Sequence, residues 1–321
     1  MGGSLNLPLR RLGASRLEVS PIALGSWRTY ERLPREQSVE ILGHALERGV
    51  NFLDDARYND ETGSAPIPSG YSEVIFGEIF RACGVRREDA VVSEKLWWEF
   101  WPEQSAADEL SASLERLRFD YVDLIYCVTL APELSVERAV AEVAQLLAAG
   151  VARAWGVAMW SAADIEAATR AAAAAGIDPP CAAQMAYSVV SRELAESDAM
   201  TAALRGAGAS LVASAPLEGG LLSGKYATAA VSGRMAGTLA EAASVRALQA
   251  AAALAALARE WGTSPATLAI AFTLEHPLLA SALVGATSPA QLDQTLAAVA
   301  LHAQLSAADR ARLRALDGDG G

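Results

Sequence analysis

Eight short, largely apolar runs, each followed by a segment with helical spacing, constrain this 321-residue chain more than any other feature. The runs lie at 22–24, 50–53, 90–93, 121–126, 152–157, 181–186, 210–214 and 282–284. Runs this short and this continuously apolar suit strands covered on both faces. Helical patterns fall between them at 37–47, 73–83, 105–117, 136–149, 162–175 and 194–206. A helical pair, 239–261 and 265–275, precedes the eighth run, and 289–299 and 307–316 follow it. Gly49 and Gly150 stand where helices must stop. Alternating β and α units with short connections predict an α/β fold, a parallel (β/α)8 TIM barrel. Strand-like pieces around Arg11 and Val19, joined through Gly13, predict an N-terminal β-hairpin, and the last helices a C-terminal helical extension. A doubly wound sheet would want a Gly-x-Gly-x-x-Gly turn after an early strand, and there is none. With no linker in view, residues 1–321 are expected to form one domain, residues 1–8 being a disordered start.

Composition narrows the function by exclusion. A formal net charge of −12 speaks against nucleic acid as a partner, because phosphate backbones want clustered Lys and Arg. No apolar run reaches the roughly 18 residues that cross a bilayer, so no membrane partner is expected. Cys83, Cys127 and Cys181 are far apart and without metal-ligand spacing, which predicts no metal and a cytoplasmic location.

In such barrels the chemistry sits where strands end. The second run breaks off into Asp54-Asp55-Ala-Arg-Tyr58, the third into Glu94-Lys95, and Gln184 and Tyr187 stand at the end of the sixth. An acid, a phenol and an amine would then converge on one patch.

These residues resemble the aldo-keto reductase family, whose second strand ends in Asp-Thr-Ala-x-x-Tyr and whose third ends in Lys. The branch related to potassium-channel beta subunits is the most similar. The resemblance implies an NADP(H)-dependent oxidoreductase acting on a small carbonyl compound, with Asp54, Tyr58 and Lys95 catalytic. A free phenol has a pKa of about 10, so the ammonium of Lys95 is expected to lower it, with Asp54 keeping that Lys charged. Tyr58 stands one residue before the family position, which here is Asn59. Either Tyr58 serves across a shortened loop, or the acid is lost, or Tyr71 replaces it. Val128 occupies the place of the usual His or Asn donor, with Thr129 beside it, and His44, His276 and His302 all lie elsewhere.

The segment Ser214-Ala-Pro216-Leu217-Glu-Gly219-Gly-Leu-Leu-Ser-Gly-Lys225-Tyr is similar to the family's pyrophosphate-holding stretch. The resemblance implies further cofactor contacts from Trp27, Gln184 and Arg234. Near the C-terminus, Gly285, Thr287, Gln291, Gln294 and Thr295 match the adenosine-end motif. Preference for NADPH over NADH rests on the resemblance together with Lys225 and Arg234.

An insert at 61–70, rich in turn residues, is expected either to lid the pocket or to stay functionally silent. Of the dense aromatics at 97–101, one or two are expected in the core; Trp97 and Trp98, with Val128 and Thr129, are assigned to the substrate pocket. Beside the reductase stand a lyase or isomerase using Lys95, favoured by the missing His and by the extra carboxylates Asp55 and Glu94, and a cofactor-sensing regulatory subunit. Homo-oligomerisation stays open.

Overall fold

Strands that are apolar on both faces need cover on both, and the fold supplies it. The computed structural model describes residues 7–227 and 241–316. A two-stranded antiparallel hairpin, β1 (Arg10–Arg11) and β2 (Glu18–Val19), comes first. Then follow β3 (Ile22–Gly25), α1 (Arg35–Glu47), β4 (Phe52–Asp54), α2 (Tyr71–Ala82), β5 (Val91–Leu96) and α3 (Ala106–Leu117). The middle comprises β6 (Val122–Cys127), α4 (Val136–Ala149), β7 (Ala152–Ala158), α5 (Ala162–Ala175) and β8 (Ala182–Ala186). The chain continues through α6 (Glu193–Glu196), α7 (Asp198–Ala207), β9 (Ser210–Ser214), α8 (Ala242–Trp261) and α9 (Pro265–Thr273). It finishes with β10 (Leu279–Val284), α10 (Pro289–Gln304) and α11 (Ala307–Arg314). Strands β3 to β10 are parallel and close into one barrel, β10 pairing back onto β3.

Strand alternation sorts side chains into two cores. Phe52, Leu124, Tyr126, Ala182 and Val212 fill the barrel, while Leu53, Val92, Ile125, Trp155 and Leu211 pack outward under the helices. The helices start where hydroxyl side chains take up free amides: Ser105, Ser135, Ser161 and Ser197 each accept from the N–H three residues on. Gly150 closes α4 at φ 74°, as the sequence predicts.

The hairpin plugs the barrel. Its Leu12 and Val19 are fully buried in the interior cluster. Gly13 makes this approach possible. Its φ is +55°, and a Cβ there would lie 2.2 Å from the Cys181 carbonyl oxygen and 2.6 Å from that of Gly208.

Boundaries moved where local pattern gave way to pairing. Strand β5 runs on to Leu96, so Lys95 lies inside a paired strand and not beyond its end. The helix expected at 194–206 breaks at Ser197, whose extended backbone separates α6 from α7. The disordered start expected over residues 1–8 is corrected at Leu7, which is buried in the outer core; residues 1–6 lie outside the described residues. Because Gly13 combines a left-handed backbone with a carbonyl contact, Gly13→Ala is expected to cost about 1–3 kcal/mol or more, read as a lowered urea midpoint.

Candidate active site

At the C-terminal mouth of the barrel, pairing brings β4 and β5 into a register that sets Asp54 beside Ser93. Alternation turns Ser93 and Lys95 inward, and Lys95 sits opposite Tyr126 of the interior cluster. Lys95 Nζ donates to Asp54 Oδ2 at 2.6 Å, to the Tyr58 hydroxyl at 3.3 Å and to the Asp55 carbonyl at 3.3 Å. Asp54 Oδ1 in turn accepts from Ser93 Oγ at 2.7 Å and Gln184 Nε2 at 3.1 Å. All three predicted catalytic residues therefore meet in one hydrogen-bonded group. Ser93, which the sequence reading missed, was findable: it lies two residues before Lys95 on the same strand face.

The shortened loop does reach. The Gly70 amide donates to the Tyr58 carbonyl at 2.8 Å, and Asn59 bridges to Ser69, so the insert itself pins the Tyr58 backbone. Tyr71 opens α2 and packs against the outer core, which removes it as the alternative acid.

Burial opposes charge on Lys95, but Asp54, Tyr58 and Glu94 outweigh it and hold its pKa above the usual lysine value. The expected lowering of Tyr58 is corrected. Burial raises the phenol above its ordinary range; Lys95 pulls it down, but Asp54 and Asp55 add to the rise. In this site Tyr58 is a neutral phenol beside a fixed cation.

The extra carboxylates are not in the mouth. Glu94 pairs opposite Ile125 on the helix-facing side, and Asp55 accepts from the Ser26 hydroxyl; neither side chain is exposed. This takes from the lyase reading the two carboxylates that favoured it. A lysine held charged by Asp54 is also a poor nucleophile for an imine.

The walls of the mouth are aromatic. Tyr58 lies between Trp27 and Trp97, its ring centroid 6.4 Å from the first and 6.0 Å from the second. Trp27 is 45% exposed and Met159 61%, so apolar surface is open at this end. The assignment of Trp98 to the pocket is corrected: it is 2% exposed, in the outer core, edge-on to Trp101. Glu109 of α3 explains the turn, since its carboxylate accepts both the Trp97 and Trp98 amides. Val128 is buried in the interior cluster, its carbonyl taking the Trp160 indole N–H, while Thr129 beside it is exposed. The histidines serve packing: His44 contacts Asp293, His276 the Ala195 carbonyl and His302 Glu275. Tyr187 is also structural, donating to Glu196 and stacking on Phe272.

The insert is clasped to the loop after β3 by Glu61, which pairs with Arg28 and Arg32. A cleft of about 410 Å³, between the insert and α3, is lined by Arg57, Asn59, Ser69, Phe100 and Arg116 among others. Arg57 and Asn59, on either side of Tyr58 in the chain, line it, whereas Tyr58 and Lys95 do not.

The loop after β9 has the form of an anion cradle. Gly219, Gly220 and Gly224 have positive φ, and a Cβ on Gly220 would meet Lys225 Nζ at 2.9 Å. That lysine folds back over bare backbone, as phosphate binding requires. Pro216 is buried, Ser214 and Leu217 are half-buried, and Glu218 ties the loop to Ser188 and Ser191. These residues fit a pyrophosphate; Arg234 lies outside the described residues. Of the residues assigned from sequence to an adenosine end, Gly285, Thr287, Gln291 and Gln294 are exposed. The Gln291 side chain accepts from both the amide and the hydroxyl of Thr287. Thr295 is corrected as a contact: it is 5% exposed, and its hydroxyl donates to the Gln291 carbonyl one helical turn back.

The chain matches the sequence profile of the Aldo/keto reductase family over residues 21–317. It is 30% identical over 314 residues to a Schizosaccharomyces pombe protein named as a voltage-gated potassium channel subunit beta, covering 92% of this chain and 88% of the relative. Proteins with corresponding names from Arabidopsis thaliana and Oryza sativa subsp. japonica are 30% and 32% identical, each over 305 residues and 90% of both chains.

Because Asp54 is the counter-charge of a buried ammonium, Asp54→Ala is expected to destabilise the fold by about 3–5 kcal/mol in denaturant unfolding. A loss within experimental error would show that the pair is not what neutralises Lys95.

Proposed function

Because the chain belongs to the aldo/keto reductase family, we propose that it is an NADP(H)-dependent oxidoreductase reducing an aldehyde, a ketone or a related unsaturated carbonyl. The observation that carries this reading is one buried ammonium, Lys95 Nζ, touching both the Asp54 carboxylate and the Tyr58 hydroxyl. A bound nicotinamide supplies hydride to the carbonyl carbon. Tyr58 supplies the proton to the carbonyl oxygen. As the C=O bond is reduced, that oxygen becomes far more basic than a phenolate, so even a raised phenol pKa leaves the transfer downhill. Lys95 faces the phenolate that Tyr58 leaves behind, and Asp54, fixed by Ser93 and Gln184, keeps Lys95 charged and aimed. Trp27 and Gln184 flank the nicotinamide end. Ser214, Pro216, Leu217, Gly219 and Lys225 take the pyrophosphate, with Arg234 beyond. Gly285, Thr287, Gln291 and Gln294 take the adenosine end. Trp97, Val128 and Thr129 bound a substrate pocket suited to apolar carbonyls.

One observation favours a second reading. Val128 offers no hydrogen bond to a developing oxyanion, and one such donor is typically worth on the order of 10² to 10³ in rate. The relatives are named as channel subunits, so a nucleotide-binding regulatory subunit with negligible turnover is the competitor.

Fluorescence titration with NADPH and NADH, followed by a carbonyl panel, separates the two. The reductase reading expects selective NADPH binding and measurable reduction, with Tyr58→Phe slower by about 10²- to 10⁴-fold at unchanged nucleotide affinity. Nucleotide binding with no turnover of any carbonyl would leave the regulatory subunit; no binding of either nucleotide would sink both. In the reductase, Val128→His is expected to raise the reduction rate, by up to about 10²-fold.

A further inference from the structure

Directly behind Lys95, on the helix-facing side of β4 and β5, the carboxyl groups of Asp55, Glu73 and Glu94 are all fully buried. The cations around them are already engaged. Arg116 of α3 pairs with Glu73 of α2, Arg57 pairs with Glu99 at 2.7 Å and reaches Glu109 at 3.8 Å, and Lys95 pairs with Asp54. Among the described residues, Asp55 and Glu94 have no cation of their own. Their hydrogen bonds come from neutral groups: the Ser26 hydroxyl for Asp55 Oδ1, the Lys95 main-chain N–H at 3.0 Å for Glu94 Oε1. Asp55 Oδ2 and Glu94 Oε2 are buried with no hydrogen-bond partner, as is the hydroxyl of Tyr30, which feels the charge of Asp55. Cys83 is a further titratable group in this shell and acts on Tyr30.

An unpaired carboxylate in such surroundings is more costly than the neutral acid. We propose that Asp55 and Glu94 are positioning residues for the acid step, a buried carboxyl pair that keeps a proton at neutral pH and so spares Tyr58 and Lys95 uncompensated negative charge. The inference rests on the reading of Tyr58 as proton donor. Burial first, then repulsion from Glu73, push Asp55 up to about 8 against the pull of Ser26, the Ala56 amide and Lys95. Burial, Glu73 and Asp55 push Glu94 well above the carboxylate range.

Both groups bind their protons more tightly in the folded chain than unfolded, where carboxyl pKa values lie near about 4. Their contribution to stability is therefore complete below about pH 4; that of Asp55 is lost as pH rises through about 8, and that of Glu94 as pH rises through its own raised pKa. Loss of the proton also places negative charge behind Tyr58, which makes its phenolate harder to form. Carbonyl reduction should fall on the alkaline side for this reason.

Infrared spectroscopy of the full chain, together with Asp55→Asn and Glu94→Gln, tests the proposal. Both substitutions keep the shape of the protonated acid and cannot ionise. The expected result is a buried protonated-carboxyl stretch at neutral pH that weakens in each variant, the part lost in Asp55→Asn titrating away near pH 8 in the native chain. The thermal midpoint should fall from pH 5 to pH 9 more steeply in the native chain than in the variants. The alkaline limb of carbonyl reduction should move up by about a pH unit in the variants. Absence of the band, or pH profiles indistinguishable from the native chain, would overturn the proposal. If one variant fails to fold, the native band and the other variant decide it. A band with the flattened stability curve but no carbonyl turnover keeps the buried proton and overturns the reductase reading instead.

Discussion

The short contact between Lys95 Nζ and Asp54 Oδ2, 2.6 Å long and almost sealed from solvent, is the interaction on which the mouth of this barrel depends. It joins the neighbouring strands β4 and β5, and a lone charge on either partner would be intolerable there. Ser93 and Gln184 add neutral donors to the same carboxylate, so four residues from three strands share one charge pair. Tyr58 comes from a loop, yet it is drawn into the same group through the ammonium and through the Gly70 amide behind its backbone.

Much of this was legible in the chain. Eight apolar runs separated by helical spacing admit few architectures, and the run at 210–214 matches β9 residue for residue. Asp54 and Lys95 were legible because strand ends in a parallel barrel point at one face. The positions that misled have identifiable causes. Trp98 looks like its neighbour Trp97, but a left-handed backbone, φ 60°, sends it into the outer core, and the anchor of that turn, Glu109, lies in the next helix. The phenol of Tyr58 was expected to be lowered because the ammonium is visible in sequence, whereas desolvation becomes visible only once the loop has folded. Thr295 kept the right place in its motif and lost its hydroxyl to the helix backbone.

Asp55 and Glu94 show why period-two alternation matters as much as proximity. Each is adjacent in sequence to a residue of the mouth, and each faces the other side of the sheet. The same pair of strands thus carries a charged, hydrogen-bonded group in front and an uncompensated acidic group behind. Electrostatics acts across the sheet even though no side chain crosses it, which is how groups that never meet a substrate can bear on its chemistry.

In the proposed reductase, Lys95 acts on the proton transfer and not on the holding of nucleotide. Single-turnover transfer from deuterated NADPH to a carbonyl substrate, compared between the native chain and a folded Lys95→Met variant, measures this directly. The expected result is unchanged nucleotide affinity and transfer slowed by about 10²-fold or more. Transfer at the native rate in the variant, or a defect confined to nucleotide binding, would contradict it.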